Sequence, residues 1–191
     1  ITDLNVYRNL CSRINELWQW MTDMGMEPPD INVGGGLGIN YDNPDLISPF
    51  AEYFDIFRSH LDSSIRSTVS FELGRSLTAC CGSLISSVLF VKHGARETFI
   101  ILDAGMTDLL RPALYNAYHR IENLTSDLPE KKYTVAGPVC ETTDTFGRFV
   151  GLPETGRGDL IAIRSAGAYG EVMASRYNMR SLPPSVFSDS L

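Results

Sequence analysis

The chain has 191 residues, 43% of them hydrophobic and 20% charged, the profile of a globular protein of one domain, or of one small domain plus part of another. A net charge of −7 leaves no basic footprint for nucleic acid, although it permits a local cationic pocket for an acidic substrate. No apolar run reaches the roughly eighteen residues of a helical membrane span, and four cysteines without C-x-x-C spacing beside three histidines argue against zinc and for a reducing cytoplasm.

The opening, ITDLNVYRN, has no signal-peptide layout and no starting methionine, and reads as a cut chain. Val6, Leu10, Ile14, Leu17 and Met21 then recur at helical spacing. MGMEPPD is expected to break that helix, because two prolines cannot continue it. Ile31-Asn32-Val33 follows as a short buried strand, running straight into Gly34-Gly35-Gly36-Leu37-Gly38. Ser48 is placed to cap a second helix with Pro49 in its first turn, and Phe50, Phe54, Phe57 and Leu61 form its apolar stripe. TVSFELG, residues 68–74, returns to strand. Residues 4–74 thus predict helix–strand–helix–strand, with crossovers long enough for parallel pairing.

After residue 80 the texture changes. SLISSVLFV, TFIILDAG, KYTVAGPV and GDLIAIRSAG are β-rich runs separated by turns, with short helical pieces near 107–119 and 168–174. That pattern predicts an antiparallel sandwich or barrel. The domain boundary is set at 79/80, giving an α/β part over 1–79 and a β-domain over 80–191. The sequon Asn123-Leu124-Thr125 is a chance-level pattern and is set aside.

Five short constellations could carry chemistry. A strand running into glycines and then a helix can aim bare backbone N–H groups at a phosphate, and it can equally be a tightly packed turn. The spacing of GGGLG fits neither G-x-G-x-x-G nor G-x-x-x-x-G-K. Glu72-Leu73-Gly74-Arg75 ends a strand; its carboxylate and guanidinium can serve two ends of one ligand or pair on the surface. Arg111 and Tyr115, four apart, share a helical face that suits a carboxylate, or simply a solvated turn. Cys140 beside Glu141 is either a proton donor or an inert buried thiol. Gly167-Ala168-Tyr169-Gly170 closes a strand, ahead of the polar Ser175-Arg176-Tyr177-Asn178.

Taken in order, GGGLG, ELGR, DAGMTDLLRPALY, GPVCE and GAYGEVMASRYN resemble the fold-type III pyridoxal phosphate (PLP)-dependent decarboxylases, and within them the branch acting on diaminopimelate. The resemblance covers nearly the whole chain, with RPALY and CE its most discriminating parts. It implies the last β/α units of a TIM-like, alanine racemase-like barrel followed by the C-terminal β-domain, and decarboxylation of meso-diaminopimelate to L-lysine in lysine biosynthesis. It implies that Gly34, Gly35 and Gly36 line the PLP phosphate through their amides, with Gly74 and Arg75 nearby. Glu72 would hydrogen-bond the pyridine nitrogen, keeping the ring protonated and a better electron sink. Tyr169 would lie against the cofactor. Arg75 would also reach a substrate carboxylate, Arg111 and Tyr115 the distal carboxylate, and Glu141 the distal ammonium. A charged hydrogen bond of this kind is worth roughly 1.5–3 kcal/mol, enough to reject lysine-like substrates lacking that carboxylate. Cys140 would donate the proton after carbon dioxide leaves. In this family the Cys-Glu pair comes from the neighbouring subunit, so a homodimer follows.

Two departures qualify the match. Leu73 stands where the family more often has proline, so the rigidity of that loop differs. The family's Schiff-base lysine belongs to earlier barrel strands, and Lys92, Lys131 and Lys132 fall outside every motif. The chain is therefore expected to be a C-terminal part, inactive alone, with LPPSVFSDSL short of a final segment. The alternatives are a related arginine or ornithine decarboxylase, for which an aspartate after the cysteine is expected, and a non-catalytic relative that regulates an active partner.

Overall fold

A computed structural model describes residues 1–26, 30–65 and 69–190. The chain divides into two compact units, Ile1–Asn40 with Asp45–Leu77, and Tyr41–Pro44 with Thr78–Leu191.

In the first unit, helix α1 spans Asn5–Asp23. Its buried seam is Tyr7 and Cys11, flanked by partly buried Leu10, Ile14 and Trp18. Val6 and Leu17, assigned to the stripe from spacing alone, are 44% and 55% exposed. The true seam includes a tyrosine and a cysteine, which a purely aliphatic reading passes over. The helix ends on Gly25, whose φ of +72° is the left-handed turn of a Schellman cap. There the Gly25 N–H donates to the Thr22 carbonyl at 2.9 Å and the Met26 N–H to that of Met21 at 3.0 Å. Termination is thus complete by Met26, while Pro28 and Pro29, the predicted breakers, lie outside the described residues.

Helix α2 covers Phe50–His60, one residue later than predicted, with Pro49 at the cap position and no side-chain cap. The Ser48 hydroxyl donates instead to the Gly38 carbonyl at 3.1 Å. Strands β1 (Ile31–Asn32) and β2 (Val69–Ser70) pair in parallel, as the crossover length predicts; Thr68 of the expected strand lies outside the described residues. Their ladder continues beyond both strands: the Val33 N–H donates to the Ser70 carbonyl at 3.1 Å and the Glu72 N–H to that of Gly34 at 2.8 Å. Beneath them the Tyr7 and Tyr53 rings meet edge-on at 4.8 Å, and Phe57 meets Phe71 at 5.0 Å. Burial pushes the Tyr53 phenol up to about 12, and among the described residues its hydroxyl has no partner.

A one-turn helix, α3 (Arg75–Thr78), leads into the second unit. This unit is built on six strands, β3 (Leu84–His93), β4 (Thr98–Leu102), β5 (Ile121–Asn123), β6 (Glu130–Ala136), β7 (Thr145–Pro153) and β8 (Leu160–Ile163), in the order β5-β8-β3-β4-β6-β7. Strand β3 pairs with β8 through Leu84–Ser87 and with β4 from Val88 onward, and a bulge between Val88 and Phe90 bends it from one neighbour to the other. The outer strands β5 and β7 approach each other, so the sheet curls into a nearly closed barrel around Val88, Ile100, Leu102, Val135, Ile161 and Ile163.

The all-antiparallel expectation needs one correction, because β4 and β6 run parallel from Thr98↔Tyr133 to Ile101↔Ala136. The connection between them is long, passing through helix α4 (Arg111–Tyr115) and β5, which gives the chain room to return in the same direction. Strands β5 and β7 were not predicted at all.

Candidate active site

The first unit holds the glycine turn. Gly34 and Gly36 have φ of +70° and +97°, the left-handed region that favours glycine. Gly35 is bare for a different reason: a Cβ there would stand 2.2 Å from the Glu72 carbonyl oxygen. The turn therefore packs directly against the strand end that carries Glu72. The Gly34 N–H is already committed to the Asn32 Oδ1 at 2.8 Å. The amides of Gly35 and Gly36 have no partner among the described residues. Asn32 also donates from Nδ2 to the Glu72 Oε1 at 2.7 Å, so a single amide side chain braces both the turn and the carboxylate.

Sequence reasoning missed Asn32. Its signal was a polar side chain between Ile31 and Val33 on an otherwise apolar strand. Gly74 has open space at its Cβ position, and Arg75 begins α3 immediately after it. An apolar cavity of about 260 Å³ in this unit is lined by Phe54, Phe57, Arg58, Leu61, Val69 and Phe71, and none of the predicted site residues is among them.

In the second unit α4 opens with Arg111, Pro112 follows in its first turn, and a left-handed Asn116 ends it. Arg111 is only 5% exposed, whereas Tyr115 at the other end of the same turn is 63% exposed. The shared helical face therefore does not give the two side chains a shared environment. The Arg111 Nη1 donates to the Tyr41 hydroxyl at 2.7 Å and lies 3.0 Å from the His119 Nε2. His119, 1% exposed, is anchored through Nδ1 to the Arg164 carbonyl at 2.9 Å. No carboxylate pairs with Arg111 among the described residues.

The loop after β6 carries Cys140 and Glu141, both exposed. Asp144 holds it from beneath: its two carboxylate oxygens accept the Met106 and Val139 N–H groups, each at 2.6 Å. Gly137 allows this close approach, since a Cβ there would sit 2.4 Å from either oxygen. Burial, the largest influence, raises the Asp144 carboxyl above its ordinary range despite the two N–H donors and Arg180.

The Tyr177 hydroxyl donates to the Glu141 Oε1, and that carboxylate pushes the phenol up, keeping it a donor. The segment bearing Tyr177 is latched where the Ser175 N–H donates to the Thr107 carbonyl at 2.9 Å and the Arg180 Nε to the Thr107 Oγ1 at 3.1 Å. Tyr169, half exposed, has φ of +64°, a strained conformation for a bulky residue. Tyr41, His119 and Tyr177 were not predicted as site residues; only their contacts single them out. No group of three His, Cys, Asp or Glu side chains is placed to hold a metal ion, and no helix is long and apolar enough to cross a membrane, among the described residues.

Comparison with known proteins gives this geometry its context. Residues 6–167 match the family model for the pyridoxal-dependent decarboxylase C-terminal sheet domain. The diaminopimelate decarboxylase of Bacteroides thetaiotaomicron is 51% identical over 193 residues, covering 100% of this chain and 50% of the relative. That of Aquifex aeolicus is 38% identical, covering 94% of this chain and 43% of the relative. The crystal structure of the Helicobacter pylori diaminopimelate decarboxylase complexed with L-lysine superposes with a TM-score of 0.85 at 37% identity, over 95% of this chain and 45% of that one. The chain spans about half the length of the curated relatives it matches. It belongs to the pyridoxal-dependent decarboxylase family and carries that family's C-terminal sheet domain.

Proposed function

We propose that this chain forms the C-terminal part of a PLP-dependent amino-acid decarboxylase that converts meso-diaminopimelate to L-lysine and carbon dioxide. In this reading residues 1–79 complete a TIM-like barrel and residues 80–191 form the β-domain. The observation that carries it is Arg111, a nearly buried guanidinium with no carboxylate partner among the described residues. A cation held out of water without a counter-charge is costly, and an anionic ligand group offsets that cost. The distal carboxylate of diaminopimelate is such a group, and Tyr115 adds a hydroxyl at the exposed end of the same turn.

The cofactor fits the residues present. Two amides without a partner among the described residues, on Gly35 and Gly36, stand in the turn that packs on the Glu72 backbone, and Asn32 holds the Glu72 carboxylate. Gly34 contributes shape rather than a donor, because its amide is spent on Asn32. These groups would hold the phosphate and the pyridine nitrogen, with Gly74 and Arg75 beside the phosphate and Tyr169 against the ring. When bound, the cofactor supplies the electron sink for the charge left on the α-carbon as carbon dioxide departs. Glu72 keeps the proton on the pyridine nitrogen. Arg75 also reaches a substrate carboxylate. Cys140 delivers a proton from Sγ to the α-carbon, and Glu141 binds the distal ammonium.

Cys140 and Glu141 serve the site of a second copy, so the working unit is a homodimer in which each copy completes its neighbour. The exposure of both residues supports this. Cytoplasmic lysine biosynthesis fits the four free cysteines. The test is carbon dioxide release by the whole protein, loaded with PLP, from meso-diaminopimelate, L-ornithine and L-arginine. Turnover of meso-diaminopimelate alone is expected. Turnover of ornithine or arginine in its place, or of none of the three, contradicts the assignment.

A further inference from the structure

The predicted site accounts for the presence of Arg111 but not for how its guanidinium is aimed. An Nη nitrogen carries two hydrogens, and both on Nη1 have acceptors: the Tyr41 hydroxyl at 2.7 Å and the His119 Nε2 at 3.0 Å. The second acceptor exists only in one tautomer. The Arg164 carbonyl lies 2.9 Å from the His119 Nδ1 and can only accept, so Nδ1 carries the proton and Nε2 offers its lone pair to the guanidinium. The Tyr41 and His119 rings also meet edge-to-face, with centroids 5.1 Å apart, and the Arg111 Cζ lies over the Tyr41 ring, 5.4 Å from its centroid.

With Nη1 committed, the end-on fork of Nη1 and Nη2 cannot grip a carboxylate with two bonds. The side-on edge, Nε and Nη2, has no partner among the described residues. We infer that Tyr41 and neutral His119 are positioning residues that lock the Arg111 Nη1, so that Arg111 presents only its Nε–Nη2 edge to the distal carboxylate of the substrate. This rests on the proposed function and adds to it which edge binds and what selects it. A fork held in one orientation loses less entropy on binding than a free arginine, and its fixed direction favours a carboxylate at one distance from the reacting carbon.

The whole PLP-loaded protein tests this with Tyr41→Phe, His119→Asn and His119→Gln. Phenylalanine keeps the ring and loses the acceptor. Asparagine keeps the bond to the Arg164 carbonyl and loses the acceptor facing Arg111, whereas glutamine can restore that acceptor. Two competitive ligands serve as probes: L-lysine, which retains the distal carboxylate, and cadaverine, which lacks it. Tyr41→Phe and His119→Asn are expected to raise KM for meso-diaminopimelate and Ki for L-lysine about tenfold, with kcat and Ki for cadaverine within about twofold. His119→Gln is expected to recover most of the loss, and neither loss should add to that of Arg111→Gln.

Equal weakening of L-lysine and cadaverine overturns the inference, as does identical behaviour of the Asn and Gln variants, or a loss that adds to that of Arg111→Gln. If His119→Asn does not fold, Tyr41→Phe decides alone on the lysine-to-cadaverine ratio. Failure of the unmodified protein to turn over meso-diaminopimelate overturns the proposed function together with this inference, and so stands apart from the other outcomes.

Discussion

Single polar side chains in this protein hold geometry that backbone alone would leave loose. Asp144 accepts two backbone N–H groups from two loops, and the cost is a carboxylate kept from water. Because burial raises its folded-state carboxyl above the ordinary value near 3.9, folding takes up a proton in the window just above that value. The stability it contributes is full below the unfolded value and is lost as pH rises through the folded one. Denaturation from about pH 4 upward should show the parent protein losing stability relative to Asp144→Asn, and a flat difference contradicts this. A second check is Tyr53, whose buried hydroxyl lacks a partner among the described residues. Tyr53→Phe should leave the unfolding free energy unchanged or raise it by about 1 kcal/mol; a loss of that size would reveal a partner. Residues of this kind are the least legible in sequence. Arg111, Cys140 and Glu141 stand in motifs, but Asn32, Tyr41 and His119 gain their roles from contacts 40, 70 and 8 residues away along the chain. No local pattern encodes such pairings.

Elements were readable in proportion to how far one period dominated. The two long helices and the β1–α2–β2 crossover followed from spacing, because helical periodicity and connection length are local properties. What ended α1 was less visible: prolines were the obvious breakers, yet the cap closes on Gly25 at φ +72°. Gly25→Ala should therefore destabilise the protein by about 1 kcal/mol, measured by denaturant titration, although no atom lies within 4 Å of its Cβ position. A neutral result would show that the cap is dispensable. Strand β7 escaped notice because Gly147 and Gly151 interrupt it, Pro153 ends it, and its burial does not alternate from residue to residue. Two of those positions are crowded: a Cβ at Gly147 would meet Val150 at 2.7 Å, and one at Gly151 the Glu130 carboxylate at 2.4 Å. The parallel β4–β6 pair was hidden for a different reason, since strand direction depends on where a long connection returns.

At the scale of the whole molecule, an acidic chain with a net charge of −7 buries a cation, Arg111, without a carboxylate partner among the described residues. It also exposes a thiol and a carboxylate side by side on Cys140 and Glu141. In the proposed homodimer each copy would lend that pair to the other. The decisive measurement is a crystal structure of the whole protein with PLP and L-lysine. The phosphate is expected within hydrogen-bonding distance of the Gly35 and Gly36 amides, the Glu72 carboxylate on the pyridine nitrogen, and the lysine carboxylate on the Nε–Nη2 edge of Arg111. A phosphate seated away from the glycine turn, with Glu72 remote from the ring, would contradict the proposed function.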